Sequence, residues 1–195
     1  MENNHNMKKD LTLLEANNSY YLKPISRKAD ITKQDDCDGY LINTQGDEKE
    51  ARKIVDVLKR KDRILAIVGS DNIFNRRVLE TLKINYLVSP EKEDKKDNLK
   101  QRDSGLNHVT AKIAKEKKIS IIINFSELKE LKPKQLVIRL ERIIQNIKIC
   151  RRVNAQIKIA TFANNKQELV DSKTLQEFMI SLGASTQQAK EATRF

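Results

Sequence analysis

The chain is poor in the residues that most enzyme sites are made from. In 195 residues it has no tryptophan, two histidines, two cysteines, three prolines and five glycines. With only His5 and His108, a hydrolytic metal centre built on several histidines is arithmetically excluded, although a carboxylate-based one stays open. Cys37 and Cys150 fall in no metal or redox spacing, so a reducing cytoplasm is the plain expectation. Five glycines leave little room for phosphate-cradling loops, and neither a P-loop, a GxGxxG nor a GxSxG elbow is present. Aromatics make up 5 % and no RNP-like aromatic strand occurs, which disfavours stacking on single-stranded bases. No apolar run approaches the ~20 residues a membrane span needs, and MENNHNMKKD lacks the apolar stretch of a secretory signal.

Positive charge is what the chain has in excess. The formal net charge is +11 and the isoelectric point about 9.6, with 33 % charged residues against 38 % hydrophobic ones. The excess is uneven. Residues 1–100 hold 20 Lys and Arg against 18 Asp and Glu, residues 101–158 hold 14 against 5, and residues 159–195 hold four of each. A basic block in the middle third favours a polyanionic partner, with nucleic acid the first candidate. An anionic membrane is a weaker one, because no basic amphipathic helix with bulky aromatics accompanies the charge.

From Gly39 onward, short apolar runs alternate with helical periods. GYLIN (39–43), ILAIV (64–68), INYLVS (84–89), ISIIINF (119–125) and IKIATF (157–162) read as strands. Between them, 47–60 places Ala51, Ile54, Val55 and Leu58 on one helical face. The composition of 72–83 favours a helix, and Pro133 opens a long one with Leu136, Leu140, Ile143, Ile144, Ile147 and Cys150 as its stripe. The charged run 91–102 reads as a loop. Ser172 is expected to cap TLQEFMISL, Gly183 to stop it, and SxxQ at Ser185–Gln188 to open a last helix. Five β–α alternations predict parallel strands in an α/β barrel or a doubly wound sheet. Residues 39–195 form that domain, whereas 1–38 are a segment that is partly disordered or adds short strands at LTLLE (11–15) and SYYLKPI (19–25).

Ligands of α/β folds gather where strands end and helices begin. QRDSGLNHVTAKIAKEKK (101–118) is such a junction. Helical spacing sets His108, Lys112 and Lys115 opposite Leu106, Val109 and Ile113, and exposed N–H groups after Ser104 would cradle a phosphate beside Arg102 and Lys112. The same helix start can equally be a solvated polar face. Asn75, Arg76 and Arg77 follow ILAIV; Arg139 and Arg142 flank the long stripe; Arg151 and Arg152 end it, where cations also complement the helix dipole. Asp35, Asp36 and Asp38 are close together but in a turn-like context, and Cys150 belongs to the apolar stripe.

The order VGSDNIFNRR, INYLVSPE, RDSGLNHVTAKIAKEKKISIIINF, then a strand ending ATFA and a closing LGAS helix, resembles the archaeal ribonuclease P protein component 3 family, counterpart of the thirty-kilodalton subunit of the eukaryotic enzyme. The positions carrying it are Gly69, Asn75, Arg76, Pro90 and the run Arg102 to Val109, within a match over about 39–193. Ser89 stands where the family often has His, Val170 where an Arg is common, and the first 38 residues do not match. The resemblance implies a TIM-barrel-like fold related to the polymerase-and-histidinol-phosphatase barrel, shortened at its N-terminal part and without its metals. It further implies a noncatalytic subunit that binds the ribonuclease P RNA, works with protein component 2, and supports removal of the 5′ leader from precursor tRNA. No cofactor is expected on this chain; the holoenzyme RNA would need Mg2+. On this reading Arg76, Arg102, His108, Lys112 and Lys117 contact RNA, with Arg139, Arg151 and Arg152 behind them, while Asn75, Asp103, Ser104 and Asn107 hold the presenting loop. Two alternatives stay open: a diverged phosphoesterase using carboxylates and His108, and an assembly module whose charges matter little.

Overall fold

The computed structural model describes residues 10–32, 35–59, 62–93, 97 and 102–195. Seven parallel strands follow one another in chain order: β1 (Asp10–Thr12), β2 (Ser19–Ile25), β3 (Gly39–Ile42), β4 (Ile64–Val68), β5 (Tyr86–Val88), β6 (Ser120–Asn124) and β7 (Ile157–Ala160). The ring then closes. Beyond β7, Phe162 N–H donates to Leu11 O and Leu13 N–H to Ala163 O, both at 2.9 Å. Asp10 adds a side-chain bolt, its carboxylate accepting from Thr161 N–H at 2.8 Å and from the Thr161 hydroxyl.

Strand alternation explains the two cores. Leu22, Leu41, Ala66, Val88, Ile122 and Ala160, one from each of β2 to β7, meet inside the barrel with Leu11 and Phe162. Their neighbours Ile42, Ile67, Leu87, Ile121 and Ile159 face outward and pack under the helices. Tyr20, Ile64, Tyr86 and Phe195 fill the mouth where strands start, Phe195 edge-on to Tyr86 with centroids 6.1 Å apart. The barrel is therefore packed rather than hollow.

The outer layer is α1 (Glu48–Leu58), α2 (Asn72–Thr81), α3 (His108–Glu116), the short α4 (Phe125–Lys129), α5 (Pro133–Val153), α6 (Ser172–Ser181) and α7 (Thr186–Ala192). Ala51, Ile54, Val55 and Leu58 of α1 are buried as their spacing requires, and each large one contributes about 1.5–3 kcal/mol by leaving water. Asp47 and Asp71 cap α1 and α2, accepting from Glu50 N–H and Phe74 N–H. Pro133 opens α5, and Asn154 ends it in the left-handed region at φ 60°. Ser185 caps α7 as expected.

Some local expectations shift. Asp171, not Ser172, caps α6, because its carboxylate takes the N–H groups of Lys173 and Thr174. The unforeseen α4 follows β6 at once, since the Asn124 side chain accepts from Glu127 N–H and turns the chain. Residues 10–25 supply β1 and β2 with no α-helix between β1, β2 and β3 among the described residues, only a 3-10 turn at Lys28–Asp30. Asp35 and Asp38 serve structure: Asp35 accepts from Lys23 Nζ at 2.6 Å and Tyr40 OH at 2.7 Å, and Asp38 from Tyr21 N–H at 2.8 Å. His5 lies outside the described residues, as does most of the charged run before Arg102.

Candidate nucleic-acid interface

The junctions after β4 and β5 meet the start of α3 at one stitched centre. Asn75, on the first turns of α2, is fully buried. Its Nδ2 donates to the carbonyls of Ser70 (3.0 Å), Pro90 (3.0 Å) and Gly105 (3.3 Å), while its Oδ1 accepts from Ser70 N–H at 2.9 Å. The β4–α2 turn and both ends of the β5–α3 connection are thus held by one amide. The approach is close enough to demand glycine. A Cβ at Gly105, whose φ is +70°, would sit 1.8 Å from Pro90 O.

The helix start differs from the expected phosphate cradle. α3 begins at His108, and Ser104 is buried, accepting from Gln145 Nε2 at 3.0 Å. Asn107 caps the helix: its Oδ1 accepts from Val109 and Thr110 N–H at 2.9 Å, and Asn107 N–H donates to Thr110 Oγ1. The orphan donors a phosphate would have used are filled by the chain itself. The buried face of α3 is Thr110, Ala111 and Ala114, while Val109 is 58 % exposed, not inward as its spacing suggested. His108 and Lys112 are exposed. No hydrogen bond joins His108 to a carboxylate among the described residues, so the base partner a phosphoesterase would need is not beside it there.

The basic residues near this loop end are largely engaged. Arg76 pairs with Glu80 at 2.7 Å and Arg77 with Glu48 at 2.8 Å. Arg102 reaches Asp97 at 3.1 Å and Glu141 at 2.6 Å. Asp103 accepts from Asn72 Nδ2, tying the loop to α2. Arg142 is buried, donating to Asp97 (3.0 Å), to Glu91 O (3.2 Å) and to Glu93 O. Burial alone would raise the Asp97 carboxyl, but Asp103 N–H and the Arg142 and Arg102 guanidiniums outweigh it and hold it below its ordinary value. Arg139, expected on a binding face, is only 7 % exposed and donates to Lys92 O at 3.1 Å, which takes it off the surface. Glu91 lies beneath, pushed up to about 7 by burial despite the nearby charge of Arg139.

Sequence reasoning missed the α5 side of this clamp. Gln145 donates to Arg102 O and Asn146 to Ser104 O at 2.9 Å. Their signal was visible: Arg142 and Asn146, four apart, interrupt the apolar face of a long helix. The remaining predicted contacts are elsewhere. Lys117 is the C-cap of α3, donating to Glu80 O, and Arg151 and Arg152 end α5. Helices run opposite to strands in this barrel, so those three belong to the end where strands begin. The predicted residues are split between the two ends.

The site so described is that of a parallel α/β barrel whose loop end is occupied by structural polar bonds. Among the described residues no three His, Cys, Asp or Glu side chains are grouped to hold a metal ion. No helix there is long and apolar enough to cross a membrane. Its architecture matches a crystal structure of an amidohydrolase at 11 % identity and a TM-score of 0.56, over 81 % of this chain and 41 % of that one, which speaks for the fold alone. No family model matches the sequence. Individual relatives do. "Ribonuclease P protein component 3" of Methanocaldococcus jannaschii is 27 % identical over 74 % of this chain and 59 % of its own length. That of Methanococcus maripaludis is 28 % identical over 65 % of this chain and 51 % of its own. A chain of an archaeal ribonuclease P, solved by cryo-EM with mature tRNA, is 27 % identical with a TM-score of 0.66, covering 79 % of this chain and 63 % of that one. The chain is thus similar to proteins named ribonuclease P protein component 3 in sequence, and to a chain of an archaeal ribonuclease P in fold, and it spans about half the length of the curated relatives it matches.

Proposed function

We propose that the chain is a noncatalytic protein subunit of ribonuclease P, binding the RNase P RNA and supporting 5′-leader removal from precursor tRNA. The observation that carries this reading is the match at 27 % identity, over 79 % of the chain, to a protein of the archaeal complex. The basic middle third supports it as well, since a ribozyme presents a dense phosphate backbone and electrostatic contact supplies most nonspecific affinity. The chemistry then belongs to the RNA and the Mg2+ it holds, and this chain's side chains neutralise and position phosphate. Protein component 2 is the proposed protein partner; Ile73 and Val109, 65 % and 58 % exposed, are apolar side chains on α2 and α3 that such a partner can cover. The cytoplasm is the proposed location.

Reconstitution tests the reading. Precursor tRNA cleavage by the RNA with component 2 should rise when this chain is added, at fixed Mg2+. Cleavage that is indifferent to the chain, or hydrolysis of a model phosphate ester by the chain alone that vanishes in His108→Ala, would refute it.

A further inference from the structure

A row of cations, mostly without carboxylate partners, lies on the opposite end of the barrel from the stitched loops. Three depressions follow one another along the face where strands begin. The first, about 570 Å³, lies between the ends of α1, α2 and α3 and is lined by Lys59, Arg63, Lys83 and Lys117. The second, about 340 Å³, is flanked by Lys115 and Lys118 and shares Ile119 with the first. The third, about 730 Å³, runs under α5 and α7 past Arg151, Lys158 and Arg194, and shares Asn154 and Gln156 with the second. Shared walls make them one furrow. It carries nine Lys and Arg side chains against two acids, Asp62 and Glu191.

These charges are available. Among the described residues Lys59 is the single furrow cation in an ion pair, with Asp56 at 2.8 Å. The others that are bonded meet neutral groups. Lys117 donates to Glu80 O, Arg63 to Asp35 O at 3.3 Å, Arg151 to Gln188 Oε1 at 3.1 Å and to Gly183 O, and Lys158 to Arg194 O. Bonds of that kind fix a cation's position without cancelling its charge. Around the stitched loops the arginines are engaged, with Arg76, Arg77 and Arg102 all matched by carboxylates. Exposed lysines of that end, such as Lys112, Lys134 and Lys173, line no shared depression with them among the described residues. A bland account, that cations at helix C-termini merely complement the dipole, covers Lys59, Lys83, Lys115, Lys117, Lys118, Arg151 and Arg194. It does not cover Arg63 or Lys158, which precede or begin strands, nor the joining of all nine in one furrow.

We propose that a helical stem of RNA lies across this furrow, its phosphates on the Lys and Arg row and its ribose hydroxyls within reach of the amides of Asn85, Asn154 and Gln156. The linings contain no aromatic side chain. The neighbouring ring of Phe195 is already taken by Lys158 Nζ, 5.1 Å from its centroid, and by Tyr86 edge-on, so no open ring is offered for base stacking, the main device of single-strand binders. Shape and backbone contact, the way double-helical RNA is read, is what the furrow offers. The inference rests on the proposed RNA-binding role and adds where the RNA sits and in what form.

The test compares two triple variants built from exposed side chains. Lys83→Gln, Lys115→Gln and Lys118→Gln alter the furrow; Lys134→Gln, Lys166→Gln and Lys173→Gln, equally exposed, remove the same charge at the loop end. Affinity for transcribed RNase P RNA is measured from low to moderate KCl at constant Mg2+. Three lost phosphate contacts should flatten the log–log salt dependence by about 2–3 and weaken binding about tenfold or more at low salt, while the loop-end triple keeps the slope of the unaltered protein. As a readout independent of variants, acetylation of Lys83, Lys115 and Lys118 in the unaltered protein should be suppressed by RNA. Undiminished acetylation, or a slope lost in the loop-end triple and kept in the furrow triple, overturns the proposal. So does protection of these lysines by protein component 2 but not by RNA. Polyuridylate competing as strongly as the folded RNA overturns the stem assignment. If the unaltered protein binds no RNA, the subunit reading falls as well; if it binds and only the furrow triple behaves as unaltered, the furrow alone is wrong.

Discussion

Replacing Asn75 with Ala removes the amide that joins the β4–α2 turn to both ends of the β5–α3 connection. Four hydrogen bonds go: three to the carbonyls of Ser70, Pro90 and Gly105, and one from Ser70 N–H. At about 1 kcal/mol net for each well-formed bond, and less for the 3.3 Å contact to Gly105, the bonds account for about 3 kcal/mol. The Pro90 and Gly105 carbonyls are then left buried without that donor, which adds about 1 kcal/mol or more. A total near 4 kcal/mol is a large part of the ~5–15 kcal/mol that holds a domain folded. In urea titrations with a slope near ~2 kcal/mol per M, the midpoint should fall by about 2 M. Asn75→Asp should be no better. It keeps the shape but aims a carboxylate at three carbonyl oxygens. A loss under about 1 kcal/mol for the alanine variant, or an aspartate variant as stable as the parent, would refute the stitching role.

Gly105→Ala forces a Cβ to within 1.8 Å of Pro90 O at a φ of +70°. A cost of ~3 kcal/mol or more should lower the melting temperature by about 6–12 °C, and an unchanged melt would mean the loop yields freely. Arg142→Met should cost about 2–4 kcal/mol, because it takes the donor from the carbonyls of Glu91 and Glu93 and leaves the Asp97 carboxylate to Arg102 and Asp103 N–H. Arg76→Met, at an exposed pair, should stay within about 0.5 kcal/mol; equal effects at the two positions would contradict the burial described. For Asp10, desolvation lifts the pKa from 3.8 to about 6 against the hydrogen bonds from Thr161 and Leu11. Because the folded value is the higher one, the folded state holds the proton more tightly. Stability from this group is therefore greatest at low pH and declines as pH rises between about 4 and 6. Asp10→Asn should then stabilise by up to about 3 kcal/mol at pH near 8 and by little near 4, read by urea titration at both pH values. An equal effect at the two would sink the assignment.

The elements were legible where periodicity was strong. The five apolar runs from Gly39 are strands, and the Pro133 helix and the α1 face are where spacing puts them, because burial and spacing report the same physics. β1 and β2 were harder to read. SYYLKPI is β2 and LTLLE overlaps β1, but with no crossover helix between them they lack the alternation that marks a β–α unit. Residue roles were the least legible. Arg76, Arg139 and Arg142 look alike in the sequence, yet one is exposed on α2 while two are buried under the 90–104 loop. What separates them is Glu91, Asp97 and Lys92, partners some 45 to 51 residues away. Val109 likewise kept its apolar identity but lost its side, since Leu106 lies before the helix and the buried face of α3 is Thr110, Ala111 and Ala114.

The split of charge between the two ends has a common cause in the topology. In a parallel barrel each outer helix runs back against its strands, so the C-terminal ends of α1, α2, α3 and α5 all reach the face where strands begin. Helix C-termini favour cations, and Lys59, Lys117, Arg151 and Arg152 occupy such positions. A preference worth a few tenths of a kcal/mol at each helix is thereby added up, by the fold, into a single positive face. The loop end goes the other way. There Asp47, Asp71 and Asp171 cap three helices, although Lys132 stands at the cap of α5, and Asp97, Glu127 and Glu141 match the guanidiniums. The middle-third excess of charge was real, but which part of it a polyanion can use is decided by these acids, not by the count of lysines and arginines.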